Sequence, residues 1–302
     1  MTDRYDAIVI GAGHNGLVCS ALLAKAGKKV LVLEANDRVG GAAITREVAD
    51  GYSVSACAHL LYQLQPKVRK ELGLSSKLAG DAMQSIALSQ DGQHVRYSGG
   101  EVSGVAEGDV SSYREFHRQM TRFADLLNTY LNTTPPRLGT SEFRDLATLA
   151  RLGFDLRRLG RDEMRTFLRL IGINIHDEVT ERFDSSLLRG ALSFDAVLGT
   201  HLGPRSPNTI MTYLYRLAAG HGRLSVPQGG MGSLAEELAQ AARTAGVTVR
   251  TNMPVKRIVV ENGRAAGVET AGGERFESLT IVSNADPKRT IMELVGTRHV
   301  ET

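Results

Sequence analysis

The sequence predicts an α/β protein built around a parallel β-sheet, and three blocks of its 302 residues support this prediction. The block 5–41 has the pattern of a strand, a glycine-rich loop, a helix and a second strand. The middle of the chain has mainly helical periodicity, and the block 223–287 returns to alternating helix and strand patterns. Such an order favours a sheet domain interrupted by a long insertion.

The first strand is predicted by Ala7–Ile10, an apolar and β-branched run typical of a strand buried in a parallel sheet. A helix is predicted over about 15–26, and Gly27 follows where a left-handed residue commonly ends a helix. The second strand, Val30–Leu33, ends at Glu34. These elements form one strand–helix–strand unit with parallel strands.

The loop after the first strand carries the pattern G-x-G-x-x-G at Gly11, Gly13 and Gly16. Gly11 permits the tight turn, Gly13 lets the backbone approach a pyrophosphate, and Gly16 lets the helix lie close to the strand. The helix N-terminus offers N–H groups to phosphate. Glu34 follows about 20 residues later, where a carboxylate accepts hydrogen bonds from ribose hydroxyls. The unit therefore predicts a site for an adenine dinucleotide, but the motif alone does not distinguish NAD from FAD.

The segment after Glu34, with the letters ANDRVGGA, resembles the one that follows the dinucleotide fold in flavoproteins of the phytoene desaturase and amine oxidase type. The later stretches VPQGGMGSL, TNMPVKRIVVENGRAAGV and IVSNADP resemble the same family. The resemblance implies FAD as cofactor and a glutathione reductase-type FAD-binding (Rossmann-like) domain with an inserted, incomplete α+β substrate domain. The implied boundaries are 1–75 for the first part of the FAD-binding domain, 76–222 for the inserted, mainly helical domain and 223–302 for the return segment.

The resemblance also implies roles for individual residues. Gly40 and Gly41 would let the backbone touch the phosphate–ribityl region of the cofactor, Arg38 would lie beside the phosphates, and the backbone at Val255 would meet the adenine. The full set of cofactor-binding residues predicted in this way is Gly11, Gly13, His14, Asn15, Gly16, Glu34, Ala35, Arg38, Gly40, Gly41, Ala42, Val255 and Ala285.

Two further residues, His59 and Ser233, are predicted to face the flavin, and no catalytic residue is assigned. A lone histidine is more often a structural hydrogen-bonding group than a catalyst. Ser233 has an alternative role as the N-cap of a helix, because Glu236 lies three residues later as in a capping box.

Helical patterns fill the middle of the chain. A helix is predicted from Ser111 onward, with Ser112 and Glu115 as a capping box. Hairpins are predicted around Asp91-Gly92 and Asn262-Gly263. Further helices are predicted at about 141–152, 162–173, 178–198 and 207–219.

Composition narrows the class of protein. Apolar residues make up 42% of the chain and the formal net charge is +3, as in a soluble globular protein. No apolar run approaches the ~18 residues of a membrane span, and the N-terminus lacks a secretory pattern, so a cytoplasmic location is expected. The two cysteines, Cys19 and Cys57, form neither a C-x-x-C pair nor a zinc cluster, and no metal is predicted.

Arginines are concentrated between Arg144 and Arg169. This concentration indicates either solvated helix faces, in which acidic residues are interleaved, or a surface for an acidic partner or a peripheral membrane contact. No nucleic-acid partner is predicted.

The function that the resemblance implies is that of an FAD-dependent oxidoreductase of the desaturase or dehydrogenase type, which transfers hydride from an apolar, polyene-like substrate to flavin. Two alternatives stay open: a flavin amine oxidase, and a non-catalytic carrier such as the GDP-dissociation inhibitors that share this fold. The intact dinucleotide motif argues against a carrier. Because family members continue beyond IVSNADP, we expect a completing C-terminal chain and little activity from the 302 residues alone.

Overall fold

The computed structural model describes residues 4–80, 83–220 and 224–300, which form two compact units. The parallel-sheet unit comprises Met1–Leu61, Gln65–Ala79 and Val226–Thr302. The helical unit comprises Tyr62–Leu64 and Gly80–Ser225. The predicted boundary at 222/223 lies outside the described residues. Within the described ranges, no helix is both long and apolar enough to cross a membrane.

The regular elements are numbered in chain order. The strands are β1 Ala7–Ile10, β2 Val30–Leu33, β3 Thr45–Ala49, β4 Tyr52–Ser55, β5 Ser85–Ala87, β6 Val95–Ser98, β7 Glu101–Ser103, β8 Thr248–Arg250, β9 Val255–Glu261, β10 Arg264–Thr270, β11 Arg275–Glu277 and β12 Ile281–Ser283. The α-helices are α1 His14–Lys25, α2 Pro66–Leu72, α3 Glu107–Leu131, α4 Phe143–Arg158, α5 Arg161–Leu170, α6 Ile175–Arg182, α7 Ser186–Val197, α8 Thr209–Gly220, α9 Met231–Thr244 and α10 Pro287–Arg289. A π-helical segment, Thr290–Gly296, and a 3-10 turn, Thr297–His299, follow α10.

The centre of the parallel-sheet unit is a four-stranded sheet in the order β12-β1-β2-β8, in which every pairing is parallel. Ile8 and Ile10 of β1 and Leu31 and Leu33 of β2 share one core cluster with apolar residues of the antiparallel sheet β11-β10-β9. Side chains alternate along a strand, so Val9 points to the opposite face. Both faces of β1 are buried, which explains its continuous apolar sequence.

The direction of the strands determines where a ligand can bind. Since β1, β2, β8 and β12 are parallel, their carboxyl ends meet at one edge of the sheet. At that edge the Gly11 N–H donates to the Leu33 carbonyl at 2.8 Å, and the Asn284 N–H donates to the Ile10 carbonyl at 2.8 Å. The loops that follow β1, β2 and β12 are therefore fixed beside one another.

The helical unit contains the antiparallel sheet β5-β6-β7 and helices α3 to α8. Tyr113, Phe116, Met120 and Phe123 recur at three- and four-residue steps along α3, and all four are buried in one core. Phe116 meets Phe183 edge to face, with ring centroids 5.6 Å apart. This aromatic core holds the helices on α3.

The predicted fold class is confirmed, since the chain is a mixed α/β protein with a parallel sheet. The predicted hairpins around Asp91-Gly92 and Asn262-Gly263 are present as β5–β6 and β9–β10. The single helix predicted over 178–198 is wrong, because two helices, α6 and α7, occupy that stretch. Phe183 between them is extended, and the Ser185 side chain caps α7 by accepting from the Leu188 N–H.

Both predicted capping boxes are also wrong. Helix α3 begins at Glu107 with Ala106 as its N-cap, so Ser112 lies in the second turn. Helix α9 begins at Met231 after Gly230, and Ser233 lies inside its first turn. In each case the helix extends further toward its N-terminus than the S-x-x-E pattern indicates.

A buried carboxylate at the start of α3 gives a stability prediction. The Asp109 oxygens accept hydrogen bonds from the Asp184 and Ser185 N–H groups, at 2.9 and 2.8 Å. Asp109→Ala leaves those N–H groups without partners, so we expect urea denaturation to report a loss of about 1–3 kcal/mol in the free energy of unfolding. The control is Asp184→Ala, whose side chain is exposed and whose change should stay within about 0.5 kcal/mol. Equal stability of the two variants would contradict this account of α3.

Candidate functional site

The glycine-rich loop leads directly into helix α1. Gly11 has a φ of 95°, in the left-handed region that glycine adopts without strain. Helix α1 begins at His14, its N-cap Gly13 makes no side-chain cap, and its first turn contains no acidic residue. His14 and Asn15 lie at this terminus, and partial desolvation lowers the pKa of His14. The first N–H groups of α1 are thus available to an anion.

The second and third glycines of the motif have no room for a side chain. A Cβ on Gly16 would lie 2.3 Å from the Gly11 carbonyl oxygen, so this glycine is required where α1 packs on the loop. A Cβ on Gly13 would lie 2.7 Å from Nδ2 of Asn284. The space that a side chain at Gly13 would need is therefore occupied by Asn284, which follows β12.

The double glycine packs against the glycine-rich loop. The Gly40 N–H donates to the Ala12 carbonyl at 2.8 Å, and Gly13 and Gly40 form a parallel bridge. A Cβ on Gly41 would lie 3.1 Å from the Gly13 Cα. The sequence motifs predicted both glycine segments separately, and the structure brings them into backbone contact.

Glu34 connects the end of β2 to the glycine-rich loop. Its side chain is buried, with Oε2 accepting from the Ala12 N–H at 2.7 Å and Oε1 accepting from the N–H and Nδ2 of Asn36 at 3.0 and 2.8 Å. An ionised carboxylate offers about four acceptor positions. Three are used here, so one remains for a hydroxyl group of a ligand while the carboxylate continues to hold the loop.

A cleft of about 570 Å³ opens beside the double glycine, within the usual size range of small-molecule sites. Arg38 pairs there with Asp37 at 3.4 Å, and both side chains are exposed, so little free energy holds the arginine in place. Ala35 and Ala42, at either end of this segment, are exposed as well. The lining residues are Asn36, Asp37, Arg38, Gly41, Ile44, Arg46 and Glu47.

Val255 and Ala285 occupy the same unit as the loop. Val255 begins β9 and is buried in the core cluster around β1 and β2. Ala285 follows β12 and packs against that cluster, and its N–H donates to Oγ of Ser283 at 3.3 Å. Both therefore lie on elements that flank the carboxyl edge of the parallel sheet.

The two residues predicted to face the flavin each lie near backbone carbonyl oxygens of residues close to them in sequence. His59 is exposed, and its Nδ1 lies 3.4 Å from the Cys57 carbonyl oxygen. Ser233 donates from Oγ toward the carbonyl oxygens of Gln228 and Gly230, each at 2.8 Å. The Ser233 hydroxyl closes the turn before α9, so the alternative role as an N-cap is wrong. Its placement near a flavin stays a prediction.

Asn284 is a site residue that the sequence analysis did not identify. Its Nδ2 is the nearest side-chain atom to the position that a Cβ on Gly13 would occupy, at 2.7 Å. An amide donor therefore lies beside the first turn of α1. Asn284 stood within the IVSNADP stretch, but no spacing in the sequence distinguished it from its neighbours.

The helical unit contains a separate polar cluster. The Tyr97 hydroxyl donates to Asp195 at 3.0 Å, and Arg216 lies 3.5 Å from the same carboxylate. Burial raises the pKa of Asp195 although Arg216 opposes the shift. The adjoining cavity measures about 60 Å³, enough for about two water molecules at ~30 Å³ each. The guanidinium also lies 5.0 Å from the centre of the Tyr62 ring, so this cluster has the features of a structural network.

The residues that the structure describes contain no group of three or more histidine, cysteine or carboxylate side chains that could hold a metal ion. The contacts described above define the candidate site as the edge at which the glycine-rich loop, Glu34, the double glycine and Asn284 meet.

Comparison with known proteins agrees with this geometry. Residues 16–288 match the family described as flavin containing amine oxidoreductase. The chain belongs to this family. The predicted resemblance to flavoproteins of this type is thereby confirmed.

Individual relatives of this amine oxidoreductase family member are distant. It is 30% identical to mouse pyridine nucleotide-disulfide oxidoreductase domain-containing protein 2, over 96% of this chain and 55% of the relative. It is 28% identical to a limonene dehydrogenase chain of Castellaniella defragrans, over 99% of this chain and 55% of that relative. The chain therefore spans about half the length of these relatives.

A solved structure of wild-type putrescine oxidase bound to putrescine shares the fold, with a TM-score of 0.60 and 21% identity. The match covers 96% of this chain and 60% of the oxidase. At this identity the likeness supports the fold, and the substrate of the family member has to be argued separately.

The tight packing at Gly16 gives a prediction for the loop. Gly16→Ala places a Cβ against the Gly11 carbonyl oxygen, so α1 has to shift, and we expect a loss of about 1–3 kcal/mol in the free energy of unfolding. The matched control is Gly190→Ala in α7, where an added Cβ would have no atom within 4 Å beyond its own helix backbone. There the higher helix propensity of alanine should stabilise the protein by about 0.5–1 kcal/mol. Thermal denaturation of both variants measures the difference, and a harmless Gly16→Ala would refute the close packing.

Proposed function

We propose that this chain carries the FAD-binding site of an oxidoreductase that removes hydride from an apolar hydrocarbon substrate. The observation that carries the proposal is the contact between the two glycine segments, with Glu34 bonded to Ala12 between them. Three chain segments approach closely there because glycine leaves the space free. The surface that they form is polar backbone, next to a helix N-terminus.

The residues present fit an adenine dinucleotide. The first turn of α1 supplies N–H groups without a capping side chain, and Asn284 adds an amide donor next to them. These groups suit a pyrophosphate. Glu34 has one acceptor position left, which suits a ribose hydroxyl, and a cleft of about 570 Å³ opens beside the double glycine.

When bound, a flavin supplies the hydride acceptor, and the protein's own part is binding, orientation and exclusion of water. Arg38 is only weakly paired with Asp37. Of the arginines that line this cleft, it is the one that the family resemblance puts beside the phosphates. No side chain of the site is assigned to proton transfer.

An apolar substrate is favoured over an amine by the resemblance of the motifs to desaturases and by a relative described as part of a limonene dehydrogenase. The structural likeness to putrescine oxidase keeps the amine as the alternative. Anaerobic mixing of the flavin-loaded protein with a terpene or polyene, and separately with putrescine, distinguishes the two. Because little activity is expected of the 302 residues alone, the flavin absorbance is followed over a long incubation. Bleaching by the hydrocarbon alone supports the proposal, and bleaching by the amine alone contradicts it.

A colourless protein that binds no flavin would instead favour the carrier alternative. The test is the visible absorbance spectrum after reconstitution with FAD and removal of the free cofactor. Because the glycine loop is intact, we expect a retained flavin band. Its absence in a folded sample would remove the enzyme proposal altogether.

The buried carboxylate gives a quantitative prediction. Glu34→Ala removes an acceptor for ribose and the hydrogen bond that holds Ala12, so we expect FAD binding to weaken by about 1–3 kcal/mol in a fluorescence titration. Glu71→Ala, an exposed change on α2, is the control and should bind FAD as the parent does. The titration is run well below the melting temperature of each variant, so that affinity and stability are separated. Equal affinity of Glu34→Ala and parent would exclude Glu34 from the site.

A further inference from the structure

Helix α4 differs from the other long helices because none of its 16 residues is buried. Its inner face is attached to the helical unit. Asp155 accepts a hydrogen bond from the Tyr130 hydroxyl at 2.7 Å, and Leu156 packs against the core of that unit. The helix is thus held in place while its outer face stays open.

The outer face of α4 is apolar. Phe143, Leu146 and Phe154 expose 84%, 48% and 61% of their surface. Ala147 and Ala150 are exposed between the two rings, and steps of four, three and four residues put Phe143, Ala147, Ala150 and Phe154 on one stripe of the helix. A helix on the surface of a protein usually packs its aromatic residues against the core. A helix that exposes them to solvent therefore indicates an interaction surface.

Positive charge flanks this stripe. Arg144, Arg151 and Arg158 recur every seven residues along one side, and Arg157 lies on the other side. In the described part of the chain, Arg144 and Arg157 take part in no ion pair. Asp155 is half-buried and pairs with Arg151 at 3.9 Å, so the uncompensated charge beside the stripe is that of Arg144 and Arg157.

We propose that α4 is a docking face for the surface of an anionic lipid bilayer. A helix of 16 residues is about 24 Å long and lies flat in the interface, with its aromatic stripe among the acyl chains and its arginines at the headgroup phosphates. Arginines lie on both sides of the stripe, so both sides can meet the anionic headgroups of a bilayer. This function is independent of the flavin site, since α4 belongs to the helical unit.

The experiment is cosedimentation of the 302-residue chain with vesicles of phosphatidylcholine alone and of phosphatidylcholine with phosphatidylglycerol. We expect binding to the anionic vesicles at low salt that weakens at high salt. Phe143→Ser with Phe154→Ser should reduce the partition coefficient at least about tenfold, because two rings no longer enter the acyl region. Phe143→Leu with Phe154→Leu should retain most of the binding, and circular dichroism checks that each variant keeps its helix content.

Matched controls distinguish binding through this face from nonspecific hydrophobic binding. Tyr52→Ser with Leu88→Ser removes two side chains that are 72% and 73% exposed elsewhere, and binding should not change. For charge, Arg144→Gln with Arg157→Gln should weaken binding more than Lys28→Gln with Lys67→Gln, which removes the same charge from exposed positions elsewhere in the chain.

Three outcomes overturn the proposal. The first is absence of binding to anionic vesicles by the folded chain. The second is an equal loss of binding in the paired controls and in the Phe143 and Phe154 variant. The third is concentration-dependent self-association, abolished by that variant in sedimentation velocity, without any vesicle binding, which would make a second copy of this chain the occupant of α4.

Discussion

The candidate site depends on how closely the backbone segments approach one another at the carboxyl edge of the parallel sheet. The Gly40 N–H reaches the Ala12 carbonyl, and the Glu34 carboxylate reaches the Ala12 N–H from the other side. A Cβ on Gly41 would lie 3.1 Å from the Gly13 Cα, and one on Gly13 would lie 2.7 Å from Nδ2 of Asn284, so this close approach requires glycine at both positions. These contacts are made by the protein's own backbone, so the surface proposed for a dinucleotide would be preorganised and little ordering entropy would oppose binding.

The two units use their apolar residues in different ways. In the parallel-sheet unit, continuous apolar strands bury both faces of β1 and β2. In the helical unit, α3 buries its aromatic residues, whereas α4 exposes Phe143 and Phe154. Both helices are amphipathic, and the difference lies in which face meets the core. Tertiary packing therefore decides which face of α4 is exposed, because the inner face of the helix contacts the core.

The sequence was sufficient for the elements whose causes are local. The apolar run of β1, the spaced glycines and the Asn262-Gly263 turn each determine their own conformation, and the structure has all three. Contacts between distant segments could not be predicted in this way. The position of Asn284 beside Gly13, the bridge between Gly13 and Gly40, and the orientation of α4 depend on chain crossings that no single stretch encodes. The capping boxes failed for the related reason that tertiary packing extended both helices beyond their local signal.

The most direct test of the account is a competition measurement on the parent chain. Equilibrium dialysis with FAD, ADP and FMN compares ligands that share different parts of the cofactor. Because the glycine-rich loop and Glu34 belong to the edge proposed to hold the pyrophosphate and adenosine, the account predicts that ADP displaces FAD and that FMN neither binds tightly nor competes. Strong FMN binding, or FAD binding that excess ADP leaves unchanged, would contradict the assignment of this edge to an adenine dinucleotide.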